Sequence, residues 1–388
     1  ERTFETAFFE YGCLANLGRV SGQRMWFLLD PTEDNPDRSW EDYRRNWRHT
    51  VVAALLWPEV WRYETMPWPE RVLRGAYVEE DGEPEPHHAQ GRVPIPGPYA
   101  TEVLTISNAL TNMRQEHIAW ECGSQGVGIL VSDSMMFQRA DPEPSDPHLG
   151  FFFGLALPLL QAGLPVHPVQ LEFVHLPGYL DDYEVLLLSY EGQKPPGPEC
   201  HEALRDWVRA GGVLVYLGED GESYESVLEW WQTPAYGYPC PRAHLFETLG
   251  LHPDAHPGSQ PGTHRIRSGG LVYQRMNPSI LAYATDGPER LLRIVRQAFA
   301  RRNLSFRTSE HLLLERGPYR IAVGLEGAGA DHAKVLKGPL VDLMDADLPV
   351  LDEVKVIAGD RRLLLDVAAV DGPTDRVVCS ASRIFGQQ

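Results

Sequence analysis

The apolar positions change period along the chain, and the changes mark out its elements. Phe4 to Leu17 is apolar and aromatic at helical spacing. Arg24 to Leu29 (RMWFLL) is a short buried-strand run that ends in Asp30-Pro31. A polar turn, DPTEDNPDRS, follows, with Ser39 as N-cap and Asp42 three residues later, and it opens a helix over Trp40 to Leu56. Trp61 to Thr65 (WRYET) is a second short strand, stopped by Met66-Pro67-Trp68-Pro69. Strand, helix and strand in this order predict a βαβ unit of a parallel sheet or barrel. Residues 78 to 98 form a long Pro-, Gly- and acid-rich loop containing His87-His88, and a helix is expected over Tyr99 to Met113.

Near Ile118 a new unit is expected to begin. Continuous β runs at Val127–Val131, Val166–Phe173, Tyr183–Ser189 and Val213–Leu217 alternate with helical segments at Leu149–Ala162 and His201–Ala210. This predicts a doubly wound, flavodoxin-like sheet, closed by the basic amphipathic segment Glu289–Arg301. The tail turns to short strands at His311–Leu314, Arg320–Leu325, Val354–Ile357 and Arg362–Val367, the pattern of a small antiparallel β-sandwich. The expected division is therefore 1–116, 117–303 and 304–388.

Hydrophobic residues make up 43% and charged residues 23% of the 388, a globular composition with room for several cores. The net charge of -19 argues against nucleic-acid partners, whose phosphates need a basic face. No apolar run has the length of a membrane span; the richest, Phe151 to Leu160, suits a core helix. The five cysteines are scattered without CxxC spacing, which argues against a disulfide framework and a structural zinc site. The chain opens at Glu1 without initiator Met or signal peptide, as if in mid-domain, and the cytoplasm is the favoured compartment.

Six of the ten tryptophans fall within the first 68 residues, at 26, 40, 47, 57, 61 and 68. Indole rings stack on sugar faces, but they also fill cores. Trp40 and Trp47, inside the helix, read as core, and Trp68, beyond a strand end, reads as a ligand contact. Glu64 is the candidate catalytic carboxylate. It closes a strand where α/β barrels gather their reactive groups, next to Tyr63, Trp68 and Arg71, neighbours expected to hold it ionised. The alternative is a surface Glu in a salt bridge. Asp30 is either a sugar-hydroxyl ligand or a turn cap. Asp34 and Glu70 are weaker candidates. The pair His87-His88 is a poor metal signal. Asp342, Asp345 and Asp347 lack the Gly and Glu of a calcium loop and read as turn residues.

The segments RMWFLLDPTED, WRYETMPWPERV, GVGILVSDSMMFQR, YEVLLLSYEGQKPP, WVRAGGVLVYLGED and HLLLERGPYRIA resemble three-domain clan-A glycoside hydrolases, such as family 42 β-galactosidases and family 164 β-mannosidases. The resemblance implies the C-terminal part of a (β/α)8 barrel, then a trimerisation domain, then a β-sandwich. It implies a retaining exo-β-glycosidase acting on carbohydrate without metal or organic cofactor. Glu64 is then the nucleophile, and Asp30, Tyr63, Trp68 and Arg71 shape the sugar subsite. The acid/base Glu of these enzymes precedes the nucleophile by several strands, which puts it upstream of Glu1. The middle segment also looks like a class I glutamine amidotransferase fold, but Tyr190-Glu191-Gly192 follows YEVLLLS where the elbow Cys would stand, so no amidotransferase activity is expected. Trp230 and Trp231 are expected in a subunit interface or against a neighbouring site. Two rivals are a non-catalytic sugar-binding or oligomerisation scaffold and, more remotely, a nucleotide-binding domain, for which VSDSMMFQR lacks a glycine-rich cradle.

Overall fold

A computed structural model of the chain describes residues 3–32, 38–74, 77–78, 92–137, 149–219, 228–251, 260–326 and 333–370. The contacts gather into two compact units, one of Glu1–Glu121 with Glu310–Gln388 and one of Cys122–Ser309.

In the first unit, the helix Phe4–Ser21 starts at Thr3, whose side chain accepts from the Thr6 N–H, and it stops at Gly22 in the left-handed region. The helix Trp40–Leu55 opens with the Ser39–Asp42 capping box that the sequence predicts. The strands Phe27–Leu28 and Tyr63–Glu64 pair in parallel, Phe27 opposite Tyr63 and Leu28 opposite Glu64. Helices cover one face of this pair, where the Tyr11 and Phe27 rings lie 4.4 Å apart. Trp47 donates its indole N–H to the Leu29 carbonyl at 3.0 Å, and Trp57 donates to that of Phe8 at 3.0 Å, so both belong to the core. A further helix spans Gly97–Leu110.

The tail of this unit differs from the expected sandwich. It is one continuous antiparallel sheet in the order Val350–Val356, Lys334–Asp342, Arg361–Asp366, Tyr319–Gly324, His311–Arg316, Ile118–Glu121. The helix Trp40–Leu55 packs on its strands Tyr319–Gly324 and Arg361–Asp366 and takes the place of a second sheet on that face. A bulge between Lys337 and Leu340 bends the longest strand. Leu336, Leu340, Val354 and Val356 then share one apolar cluster with Leu313, Ala322 and Leu364. Ile118–Glu121 is the edge strand here, not the opening of the middle unit: it pairs with His311–Arg316, and the Glu121 carboxylate accepts from His311 at 3.0 Å.

The second unit holds the doubly wound sheet. Its parallel strands lie in the order His167–Gln170, Val127–Val131, Val185–Leu188, Val213–Leu217, Gly269–Gln274, and Gly262–Ile266 adds an antiparallel edge. In chain order the parallel strands run 2-1-3-4-5, the flavodoxin-like arrangement. Three of them are buried along their whole length, as expected of parallel strands with both faces covered. The expected strand Val166–Phe173 ends at Gln170 and passes into a 3-10 turn, Leu171–Phe173. Gly269 lets the last parallel strand meet its neighbour's start, because a Cβ there would stand 2.1 Å from the Gly212 carbonyl oxygen.

Candidate functional site

Glu64 is the last residue of its strand, and its side chain is exposed. It shares a face with its in-register partner Leu28, which is 48% exposed, so the face of the strand pair turned away from the helices is open. Tyr63 cannot line the same subsite, because successive strand residues point to opposite sides. Its ring sits 6.3 Å from Phe27, and its hydroxyl donates to the Val60 carbonyl at 2.8 Å and accepts from Arg316 at 3.0 Å. Burial pushes the Tyr63 phenol up to about 12. Tyr63 therefore supports the strand from the side opposite Glu64, where it also borders a hollow.

Asp30, Arg71 and Trp68 are brought together. Asp30 Oδ1 accepts from the Thr32 N–H and hydroxyl, each at 3.1 Å, which realises its turn-capping role. Its other oxygen takes the Arg71 guanidinium at 3.3 Å, and Arg71 lies 5.8 Å from the centre of the Trp68 ring. Arg71, expected beside Glu64, therefore pairs with Asp30. Trp68 is 62% exposed and free to meet a ligand face. Glu70 pairs loosely with Arg74 at 3.6 Å on the surface. Asp34, His87 and His88 lie outside the described residues.

A hollow of about 400 Å³ that the sequence does not announce opens beside the strand Tyr63–Glu64. Trp26, Trp61, Arg62, Tyr63, Thr65 and Ser107 line it. Two guanidinium groups lie over the Trp61 ring, Arg62 at 3.6 Å and Arg114 at 5.0 Å from its centre, while Trp26 is 58% exposed. Two indoles with hydroxyl and guanidinium donors make a surface suited to a sugar ring or another flat polar ligand. The clue in the sequence is the tryptophan density before residue 68. Trp26 and Trp61 line this hollow, whereas Trp68 stands beside Arg71.

In the second unit, ligands of such sheets bind where the strand order reverses, outside the ends of the first and third strands. Here that crevice is filled by the chain itself. Ser132 donates to Glu172 at 2.7 Å and its N–H to Gln193 at 2.8 Å, Ser134 donates to the Lys194 carbonyl at 2.8 Å, and Gln170 reaches Asp133 and Glu172 at 2.7 and 2.6 Å. This self-bonded plug stands where a nucleotide would lie. Tyr190, at the expected elbow, donates or accepts at His201 Nε2 over 2.5 Å, and His201 meets His244 at 2.7 Å. Burial holds His201 well below the ordinary imidazole value, so it stays neutral. Trp231 is fully buried within this unit, and the Trp230 indole donates to the Pro195 carbonyl at 3.0 Å. Trp231 is therefore core of its own unit and no interface residue.

Asp342 and Asp345 accept from the Met344 and Asp347 N–H groups at 3.0 and 2.9 Å, as turn residues do. Cys13, Cys122, Cys200 and Cys240 form no disulfide with one another; Cys379 lies outside the described residues. Among the described residues no three His, Cys, Asp or Glu side chains gather as a metal site, and no helix is long and apolar enough to cross a membrane.

No family model matches the sequence, and no curated protein sequence is significantly similar to it. Among solved structures, the β-galactosidase of Bacillus circulans sp. alkalophilus superposes with a TM-score of 0.50 at 12% identity, over 95% of this chain and 59% of that one. The polyextremophilic β-galactosidase of the Antarctic haloarchaeon Halorubrum lacusprofundi superposes with a TM-score of 0.52 at 13% identity, over 93% of this chain and 56% of that one. The chain thus spans less than three-fifths of the length of either protein. At such identity the likeness is one of fold alone: this chain is built like the matching stretch of these two β-galactosidases.

Proposed function

We propose that this chain carries the nucleophile-bearing part of a retaining, exo-acting β-glycosidase of the β-galactosidase or β-mannosidase type. The observation that carries this reading is the position of Glu64, a carboxylate at the C-terminal end of a parallel strand whose other face is covered by helices. Strand ends of that kind gather the reacting groups of α/β barrels. Glu64 would attack the anomeric carbon, and a second carboxyl group would protonate the leaving oxygen. Trp68 would stack on the sugar, with Asp30 and Arg71 fixing the loop beneath it. The middle unit would assemble a homotrimer, consistent with a crevice closed to ligands. No metal or organic cofactor enters this scheme.

A second reading has its own support. Arg71 is engaged by Asp30, and the indole-lined hollow does not include Glu64. Both suit a non-catalytic, carbohydrate-binding scaffold that keeps the architecture without the chemistry. Mutation separates the two. Glu64→Ala in the full-length protein, assayed on a panel of aryl β-glycosides, is expected to lower kcat/KM by about a thousandfold or more. Activity within about tenfold of wild type on every cleaved substrate ends the nucleophile assignment.

A further inference from the structure

In the first unit, a cleft of about 350 Å³ lies between the helix Trp40–Leu55 and the turn that carries Gly359 to Arg362. Arg44, Arg45, Arg48, Arg361 and Arg362 line it, against only two carboxylates, Glu41 and Asp360. A chain of net charge -19 thus places five guanidinium groups around one small space. We propose that this cleft is a binding site for a small multivalent oxyanion of the phosphate class.

Like charges are not gathered without a counter-charge, and here the counter-charges stand behind the arginines. Glu102, fully buried, takes Arg44 and Arg48 through their Nε atoms, each at 2.5 Å. Asp342 takes Arg362 at 2.8 Å, and Asp42 takes Arg45 at 2.5 Å. Asp360 takes the other end of Arg362 at 3.2 Å, and Arg361 donates to the Gly324 and Asp360 carbonyls at 2.8 and 2.9 Å, so the N–H groups that remain for a ligand are those of Arg44, Arg45 and Arg48 outside these contacts. A preorganised fork of this kind suits bidentate capture of phosphate oxygens.

Two buried polar atoms on the cleft residues have no partner among the described residues, the Arg361 Nε and the His49 Nδ1. Both atoms are closed off from solvent and belong to the packed wall of the cleft, while Arg44, Arg45 and Arg48 supply its exposed face. The local field is cationic. Burial first, then Arg361 and Arg45, hold the His49 imidazole down to about 4. At Gly359 a Cβ would meet nothing within 4 Å, so the turn leaves its side of the cleft open. The space admits a phosphate or a hexose phosphate and is too small for a polymer segment.

The test is isothermal titration of the full-length protein with inorganic phosphate and, separately, with a hexose 6-phosphate, each against potassium chloride at matched ionic strength. The Arg45 side chain is 60% exposed, so Arg45→Ala removes a ligand group without opening the core. The expected result is saturable binding that Arg45→Ala weakens about tenfold, the loss of one charge-assisted hydrogen bond. NMR of the wild-type protein is expected to show the His49 ring signals moving with the same saturation. Tighter binding of the ester identifies an organic phosphate as the occupant; equal binding identifies free phosphate. Absence of saturable binding above the chloride control overturns the proposal, and so does binding that leaves both His49 and the Arg45→Ala affinity unchanged.

Discussion

His49 shows how one side chain couples this fold to proton concentration. In the folded chain its imidazole is held down to about 4, by burial first and then by Arg361 and Arg45. In an unfolded chain the same group titrates near 6.5. The unfolded state therefore binds the proton more tightly, and stability rises with pH between those values. The contribution is complete above about pH 6.5 and is lost as the pH falls toward 4. Guanidinium melts across that interval should show wild type losing up to about 3 kcal/mol more than His49→Gln. Equal slopes for the two proteins refute this account. The sequence shows Arg45 one helical turn before His49, but not the burial that dominates the effect, nor Arg361, which is 312 positions away and reaches it only through the fold. The position of Glu64 at a strand end was legible for the opposite reason: strand run, proline stop and carboxylate are all local. Its supporting cast was not, since Arg71 chose Asp30, a partner 41 residues earlier.

Elements in the first unit are held at their ends by a single buried cation. Arg316, in the strand His311–Arg316, donates to the carbonyls of Met113, Leu55, Pro58 and Val60 and to the Tyr63 hydroxyl. It thus satisfies the end of the helix Trp40–Leu55 and the approach to the strand that bears Glu64. Arg316→Leu strands several buried carbonyls, and a loss of about 3 kcal/mol or more is expected in chemical denaturation. A loss below about 1 kcal/mol contradicts the role given to this residue. Element boundaries set by local signals, such as the Ser39–Asp42 capping box and the buried run Val213–Leu217, were readable in advance. Those set by distant partners were not. Ile118–Glu121 is a strand because His311–Arg316 lies beside it, and the Lys334–Asp342 strand hides its period behind the bulge at Lys337 to Leu340.

On the scale of the whole molecule, two units divide the labour. The middle unit has a doubly wound sheet whose ligand crevice is plugged by Ser132, Glu172 and Gln193. Its continuous β runs made that sheet the most legible part of the chain, whereas the plug depends on side chains from three separate loops. The other unit carries the strand pair, the indole-lined hollow and the arginine cleft. The fold likeness of the chain to β-galactosidases runs over both units and is read from shape, at identities of 12 and 13%.

The central claim is that the Glu64 carboxylate bonds covalently to a sugar, and an activated 2-deoxy-2-fluoro β-glycoside tests it most directly, because such a substrate traps the glycosyl-enzyme of a retaining mechanism. The full-length protein would be inactivated with galactosyl and mannosyl versions and digested for mass spectrometry. The account predicts one sugar per chain on the peptide that contains WRYETMPWPERV, attached at Glu64. A label on any other carboxylate, or turnover of aryl β-glycosides with no trapped adduct, contradicts it.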